Sequence, residues 1–311
     1  MGIIRTLCWA LVAWVLWPAA NSHACAVCGC GDPTLTVAGA EKPLAQRVRT
    51  GAEVRVLEDR WADVDGGGTV MRDARVTALV AYAPLRSIIF VAAVAGVVRD
   101  VTLPNLARVV TAGLGDVDLR ARVFVFQDRA FAPRHVVSIQ GGVVLPTAMA
   151  WARPKTWRAA ALRGAAFPSG LPDSAIPGLF AVMPVVGLTY GAFHQGKYAL
   201  QVSLQAQFPV AFTSNTRVGG ILNASAAAQW QPVGALALRA LADVRLSAAT
   251  VTGGRQDPNA GGLVGFGGGE VVVSPWMDLQ FNAVVRVPVV QLLNGTQSVG
   301  PVMSLGVMRD W

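Results

Sequence analysis

Along most of this chain, apolar and polar residues change places at every step. In residues 198–212, Tyr198, Leu200, Val202, Leu204, Ala206, Phe208, Val210 and Phe212 alternate with Ala199, Gln201, Ser203, Gln205, Gln207, Pro209 and Ala211. In 277–288, Leu279, Phe281, Ala283, Val285 and Val287 alternate with Asp278, Gln280, Asn282 and Arg286. In 235–247, the apolar set from Leu236 to Leu246 faces Arg239, Asp243 and Arg245. In 117–128, Val117, Leu119, Ala121, Val123 and Val125 face Asp118, Arg120 and Arg122. A period of two puts alternate side chains on opposite faces of a strand. Two-faced strands of roughly 10–15 residues are long for a soluble sheet. They suit a tilted membrane crossing that is apolar toward lipid and polar toward a lumen.

The pattern predicts strands near 47–58, 73–83, 87–100, 116–127, 134–146, 179–192, 198–212, 217–230, 235–248, 262–273, 277–290 and 298–311. The expected fold is all-β: an antiparallel up-and-down transmembrane barrel of about 12 strands. Connections alternate in length. Short ones are expected at 84–86, 128–133, 194–197, 231–234 and 274–276, long ones at 59–72, 101–115, 147–178 and 249–261. Short periplasmic turns and long outer loops would place both ends of the barrel domain in the periplasm. Residues 87–98, SIIFVAAVAGVV, are apolar on both faces and mimic a helix.

Composition narrows the choice. The chain is 53% hydrophobic, yet it carries 33 Gly and 18 Pro. Its mean hydropathy of +0.46 would fit a helical membrane protein, but Pro and Gly interrupt the charge-free stretches 174–196 and 287–308. Apart from three Trp in the first 17 residues, the tryptophans Trp61, Trp151, Trp157, Trp230, Trp276 and Trp311 fall in predicted loops or at strand ends. Tyr82, Tyr190 and Tyr198 lie near the predicted periplasmic ends. Such rings form girdles where lipid meets water. A soluble β-sandwich more often buries Trp mid-strand. Met303, Leu305, Val307 and Trp311 share a face and end in an aromatic residue, like the signal read by the outer-membrane assembly machinery. Arg309 stands where an apolar residue is usual in that signal.

A family resemblance rests on three stretches: Gly113-Leu-Gly-Asp-Val-Asp-Leu-Arg-Ala-Arg122, Gly141-Gly-Val-Val-Leu-Pro-Thr147, and Val287-Pro288 followed by Leu293-Asn294-Gly295-Thr-Gln297. Over roughly residues 110–311 the chain resembles the outer-membrane barrel family described as the MetA-pathway phenol-degradation transporter. The resemblance implies passage or uptake of small organic compounds and supplies no defined site. The N-terminal Cys cluster departs from that pattern.

Residues 1–24 read as a secretory signal: Arg5, an apolar run from Thr6 to Ala20, and small residues at Ser22 and Ala24. The run is shorter than the roughly 20 residues of a spanning helix. Residues 25–46 then form a periplasmic segment, and 47–311 the barrel. Cys25, Cys28 and Cys30 in CAVCGCGDP are the one sharp chemical feature. Three thiols so close can hold a soft metal ion, or pair as a disulfide in an oxidising compartment. The third thiol would be left to dock a periplasmic partner, and Cys25 as first mature residue also raises lipidation. Gly29 after Cys28 excludes c-type haem attachment.

The remaining motifs are weak. Asp63-Val-Asp65-Gly-Gly-Gly68 lacks the other acidic positions of a calcium loop. The run Gly265–Gly269 has no Lys-Ser/Thr after it, so close strand contact or a sheet bend explains it better than phosphate binding. His135 and His194 sit near predicted periplasmic ends, and no enzyme is expected. The formal charge is +8. Arginines spaced singly on polar faces do not make a nucleic-acid surface. Instead Arg49, Arg55, Arg75, Arg120, Arg122, Arg239, Arg245 and Arg286 are expected in the lumen, against Glu53, Asp118, Asp243, Glu270 and Asp278. Of these, Arg120, Arg122, Arg239, Asp243, Arg245 and Arg286 are the candidate selectivity residues. Positive pore linings favour anions, although in a narrow barrel such charges also pair and fill the interior. The leading expectation is passage of small solutes, with 147–178 as a constriction loop; the alternative is a non-conducting anchor for the Cys cluster.

Overall fold

The computed structural model describes residues 46–62, 68–102, 108–129, 133–148, 181–194, 197–212, 216–252, 255–256, 260–276 and 278–311. The expected signal segment, the Cys cluster at Cys25, Cys28 and Cys30, the Asp63/Asp65 loop, Trp151, Trp157 and most of the expected constriction loop lie outside them.

Twelve long strands make one closed sheet: β1 (Arg47–Ala62), β2 (Gly68–Leu85), β3 (Ile88–Thr102), β4 (Arg108–Gln127), β5 (His135–Leu145) and β6 (Ala181–His194). They continue as β7 (Tyr198–Gln207), β8 (Ile221–Val233), β9 (Leu236–Ser247), β10 (Gly262–Trp276), β11 (Leu279–Leu293) and β12 (Val302–Asp310). Each strand pairs antiparallel with its sequence neighbours, and β1 also pairs with β12, so the sheet closes on itself. Closure leaves these twelve strands no open edge, which a structure in lipid requires. Among the described residues no helix is long and apolar enough to cross a membrane.

The two faces separate as the alternation predicts. Val54, Val56, Val76, Val80, Leu119, Val123, Leu188, Leu200, Leu204, Leu238, Val244, Val285 and Leu305 are exposed on the outer wall. Arg120, Arg122, Gln140, Gln201, Gln205, Arg239, Glu270, Asn282 and Arg286 are buried inside. Tyr82, Tyr190, Tyr198, Trp230, Trp276 and Trp311 are exposed at the short-turn end. Residues 88–98 of this run are part of a strand, not a helix: on their inner face Val91, Ala93, Ala95 and Val97 are buried, and Ala93 packs with Leu79 of β2 and Met308 of β12.

Two expected loops are shorter than the sequence pattern implied. Residues 108–115 continue β4, and 59–62 with 68–72 continue β1 and β2. In β4 a bulge places Val117 opposite Val94 but Leu114 opposite Gly96. The extra residue swaps the faces, so the outer set runs Val110, Ala112, Leu114 before it and Leu119, Ala121, Val123 after it. A single alternating phase breaks there. On β1 and β2 the outer face turns from apolar to charged at Glu58, Arg60 and Arg72. The backbone ladder outlasts the apolar band, so the band alone does not mark the strand ends.

The long-connection end is trimmed by two-residue pairings. Residues 298–299 pair with β1, 211–212 with β6, and 251–252 with both 216–217 and 255–256. At the short-turn end Arg309 has only 2% of its surface exposed despite its outward register. Its guanidinium lies 4.1 Å from the Trp311 ring centre and 3.5 Å from Asp278. Stacking and pairing are how a charge is tolerated in that position. Asp278, expected in the lumen, therefore serves the barrel rim.

Candidate functional site

The inner wall is built from rows of residues that face each other across neighbouring strands. One continuous row runs Phe193, Ala199, Gln229, Arg239, Glu270, Val284, Ser304, Arg55 and Arg75, from β6 round to β2. Because barrel strands tilt, the row climbs. It starts beside the short turn after β6 with apolar residues and ends mid-strand on β2 with two arginines.

Two hydrogen-bonded networks fill the wall. On β4, β5 and β7, Arg120 donates to both Asp118 oxygens at 2.8 and 2.6 Å and to Gln205 Oε1 at 3.1 Å. Gln140 Nε2 donates to the same Gln205 oxygen at 3.1 Å, and Arg122 to Gln140 Oε1 at 3.2 Å. On β8–β11, Arg239 donates to Gln229 Oε1 at 2.8 Å and Glu270 Oε2 at 3.0 Å, while Asn282 donates to Glu270 Oε1 at 3.1 Å. Arg286 donates to Asp243 Oδ2 at 2.6 Å. Both side chains of the Arg239–Glu270 pair are fully buried. A charge taken out of water needs a partner and hydrogen bonds; Arg122 and Arg239 find them on adjacent strands, Arg120 on its own strand and on β7, and Arg286 two strands away on β9.

Glycine makes this possible. Gly142 faces Arg120, Gly187 faces Gln140, Gly268 faces Arg286 and Gly306 faces Asn282, all on the inner wall. A Cβ on Gly142, Gly187 or Gly268 would come within 2.8, 2.9 or 3.0 Å of the Cγ of that neighbour. The long polar side chain lies over the bare backbone of the next strand. Sequence reading gave the 265–269 run a close contact or a bend, and both occur: the contact at Gly268 and a bulge at Gly265/Phe266. It missed Gly142, Gly187 and Gly306, whose meaning appears only once register is known.

It also missed an apolar cluster inside the barrel. Phe124, Val136, Phe193, Ala199, Ala227, Leu241 and Val284 are buried together, with Ile89 packed on them. They come from seven strands, with Phe124 on β4 and Val284 on β11, so the cluster reaches across the lumen. The available signal was an apolar residue in an inner-face slot, such as Leu241 between Arg239 and Asp243.

Of the six candidate selectivity residues, Arg120 and Arg122 join one network, and Arg239, Asp243 and Arg286 lie on the other side. Arg245 joins neither. It is exposed, and its charge is felt by Asp59 and Arg55. Among the described residues no cluster of metal-ligating side chains exists. His135 Nδ1 lies 2.8 Å from the Tyr190 hydroxyl on the outer wall, and the rings stack at 6.1 Å. In the turn before it, Asp128 accepts from the His135 and Arg134 backbone N–H groups at 3.0 and 2.7 Å. The His135 N–H, chiefly, with that of Arg134, holds the Asp128 carboxyl below the usual carboxylate range against the opposing effect of desolvation.

A closed barrel with an apolar skin and an ionised interior has the architecture of outer-membrane barrels. The crystal structure of an outer membrane channel from Pseudomonas putida F1 superimposes with a TM-score of 0.65 at 10% identity, covering 88% of this chain and 98% of that one. The translocator domain of the autotransporter NalP from Neisseria meningitidis matches at 0.48 and 12% identity, covering 88% and 91%. The NanC porin matches at 0.47 and 6%, covering 83% and 98%. At 10% identity the likeness to the Pseudomonas channel speaks to the fold alone. No family model and no curated relative matches the sequence.

Proposed function

We propose that this chain is an outer-membrane channel that passes small solutes, with a preference for anions. One observation carries the reading: the closed wall turns apolar side chains outward and arginines, carboxylates and amides inward. On the inner wall Arg55, Arg75, Arg99, Arg120, Arg122, Arg239, Arg245 and Arg286 outnumber Glu53, Asp59, Asp73, Asp118, Asp243 and Glu270, and a positive lining favours anions. The fold shared with the Pseudomonas channel supports passage. The resemblance at 113–122, 141–147 and 287–297 extends the reading to small organic compounds. In this reading the short turns and both barrel ends face the periplasm.

The apolar cluster reaches across the lower lumen and the Arg239–Glu270 pair is dry, which supports a constricted resting state for such a channel. The same filling favours a second reading, a non-conducting anchor whose Cys25, Cys28 and Cys30 hold a metal ion or dock a periplasmic partner. Purified protein in planar bilayers separates the two. Discrete steps with anion selectivity, reduced in Arg120→Ala or Arg245→Ala, support the channel. A silent bilayer, with metal bound in proportion to intact cysteines, supports the anchor.

A further inference from the structure

Arg55 of β1 and Arg75 of β2 are direct cross-strand partners on the inner wall. Like charges in that relation repel and weaken a sheet. Most carboxylates nearby are committed elsewhere. Arg99 donates twice to Asp73 Oδ2, at 2.9 and 3.1 Å, leaving Arg75 Nε 3.8 Å from Asp73 Oδ1. Arg75 Nε makes no hydrogen bond among the described residues, nor does Asp73 Oδ1. Asp243 is held by Arg286, Glu270 by Arg239 and Asp118 by Arg120. Asp116 accepts the Ala148 N–H at 3.2 Å. Across the lumen, Arg245 of β9 lies near enough for its charge to act on Arg55.

Three guanidinium groups thus share one region of the upper lumen. Two carboxylates there, Glu53 and Asp59, form no ion pair within 4 Å among the described residues. Glu53 lies near enough to Arg55 for the two charges to interact, and Asp59 lies near Arg245 toward the long connections. The region is not packed shut. Arg75 keeps 32% of its side-chain surface and Arg245 is exposed, in contrast to the dry Arg239–Glu270 pair lower down.

We infer that Arg55, Arg75 and Arg245 form a binding site for a small multivalent oxyanion, a carboxylate or phosphate, above the apolar cluster. Its occupant offsets the repulsion of the opposed arginines and meets the part of the Arg75 side chain that stays exposed. Guanidinium groups bind such oxygens in bidentate fashion. The site rests on the proposed channel reading for its purpose, though not for its chemistry: an anion held here stands at the last water-accessible level before the closure.

Isothermal titration of the purified full-length protein in detergent, with citrate and with inorganic phosphate as probes, tests the site without requiring conduction. Citrate or phosphate should bind and show which chemistry is preferred. Affinity should fall at least about tenfold in Arg55→Gln and in Arg75→Gln, and by a smaller factor in Arg245→Gln, because electrostatic anion contacts dominate. Asp59→Asn removes a competing charge and should tighten binding, a gain that a misfolded barrel cannot mimic. Failure of both probes to bind the wild type overturns the inference, as does binding indifferent to all four substitutions. A silent bilayer together with oxyanion binding would refute only the channel reading.

Discussion

Arg49 and Asp310 stand 261 residues apart and meet across the seam that closes the barrel. Arg49 Nε donates to Asp310 Oδ1 at 2.5 Å and its Nη2 to Oδ2 at 2.9 Å, a bidentate pair between the first and last strands. Both side chains are mostly buried, with 20% and 7% of their surfaces exposed. Asp310→Asn leaves Arg49 without its counter-charge and should cost about 2 kcal/mol. Urea unfolding in micelles, read by intrinsic fluorescence, checks this. An unchanged midpoint would show that backbone pairing alone holds the seam.

The Arg239–Glu270 pair makes the opposite test. Glu270→Gln strands a charge in a water-free position and should destabilise by about 3–5 kcal/mol. Replacing both, Arg239→Met with Glu270→Leu, should be neutral or stabilising because two desolvated charges disappear together. Loss of stability in the double variant comparable to the single would mean that the pair sets the strand register rather than merely surviving burial.

The apolar cluster predicts a gain of function. Phe124→Ala and Phe193→Ala remove the largest rings from the closure. On the proposed channel reading, single-channel recordings should then show larger or longer openings than wild type, since an apolar constriction blocks by excluding water. The cavity created should also lower stability by about 3–5 kcal/mol. Recordings identical to wild type would place the closure elsewhere.

Gly142 gives a steric prediction. A side chain there collides with the Leu119 carbonyl oxygen and the Arg120 side chain. Gly142→Val should destabilise by about 1–3 kcal/mol and free Arg120 from Gln205. Gly141→Val, one residue along and open on the outer wall, should be close to neutral. The contrast between neighbours, measured by thermal unfolding, isolates the inner-wall contact from strand propensity.

The 128–135 turn carries the pH dependence. Asp128 accepts two backbone N–H bonds, and its carboxyl titrates below the usual range. A group depressed on folding adds stability above its unfolded pKa and loses it as pH falls through the folded one. The amides of Arg134 and His135 should be protected at neutral pH and should lose that protection, measured against intrinsic exchange at the same pH, as the medium is acidified below the ordinary carboxylate range. Asp128→Ala should exchange fast throughout. Protection independent of pH in the wild type would rule out the carboxylate as the acceptor that orders this turn.

All twelve predicted strands were legible in the sequence, along with the two-faced wall and the exposed Trp and Tyr ring at the short-turn end, because alternation is local: each residue's face follows from its neighbour's. The reading faltered where that phase broke, at the β4 bulge, and where charges on the outer face continued the ladder past the apolar band, at Glu58 and Arg72. Arg120, Arg239, Asp243 and Arg286 could be assigned to the inner face for the same local reason. Which of them touch could not. That depends on register, which brings Arg120 over Gly142, Glu270 beside Arg239 and Arg55 against Arg75. Leu241, Phe124 and Phe193 likewise met only when the wall curved. Period two chooses a side for every residue; only barrel closure, with its tilt and shear, chooses the neighbour.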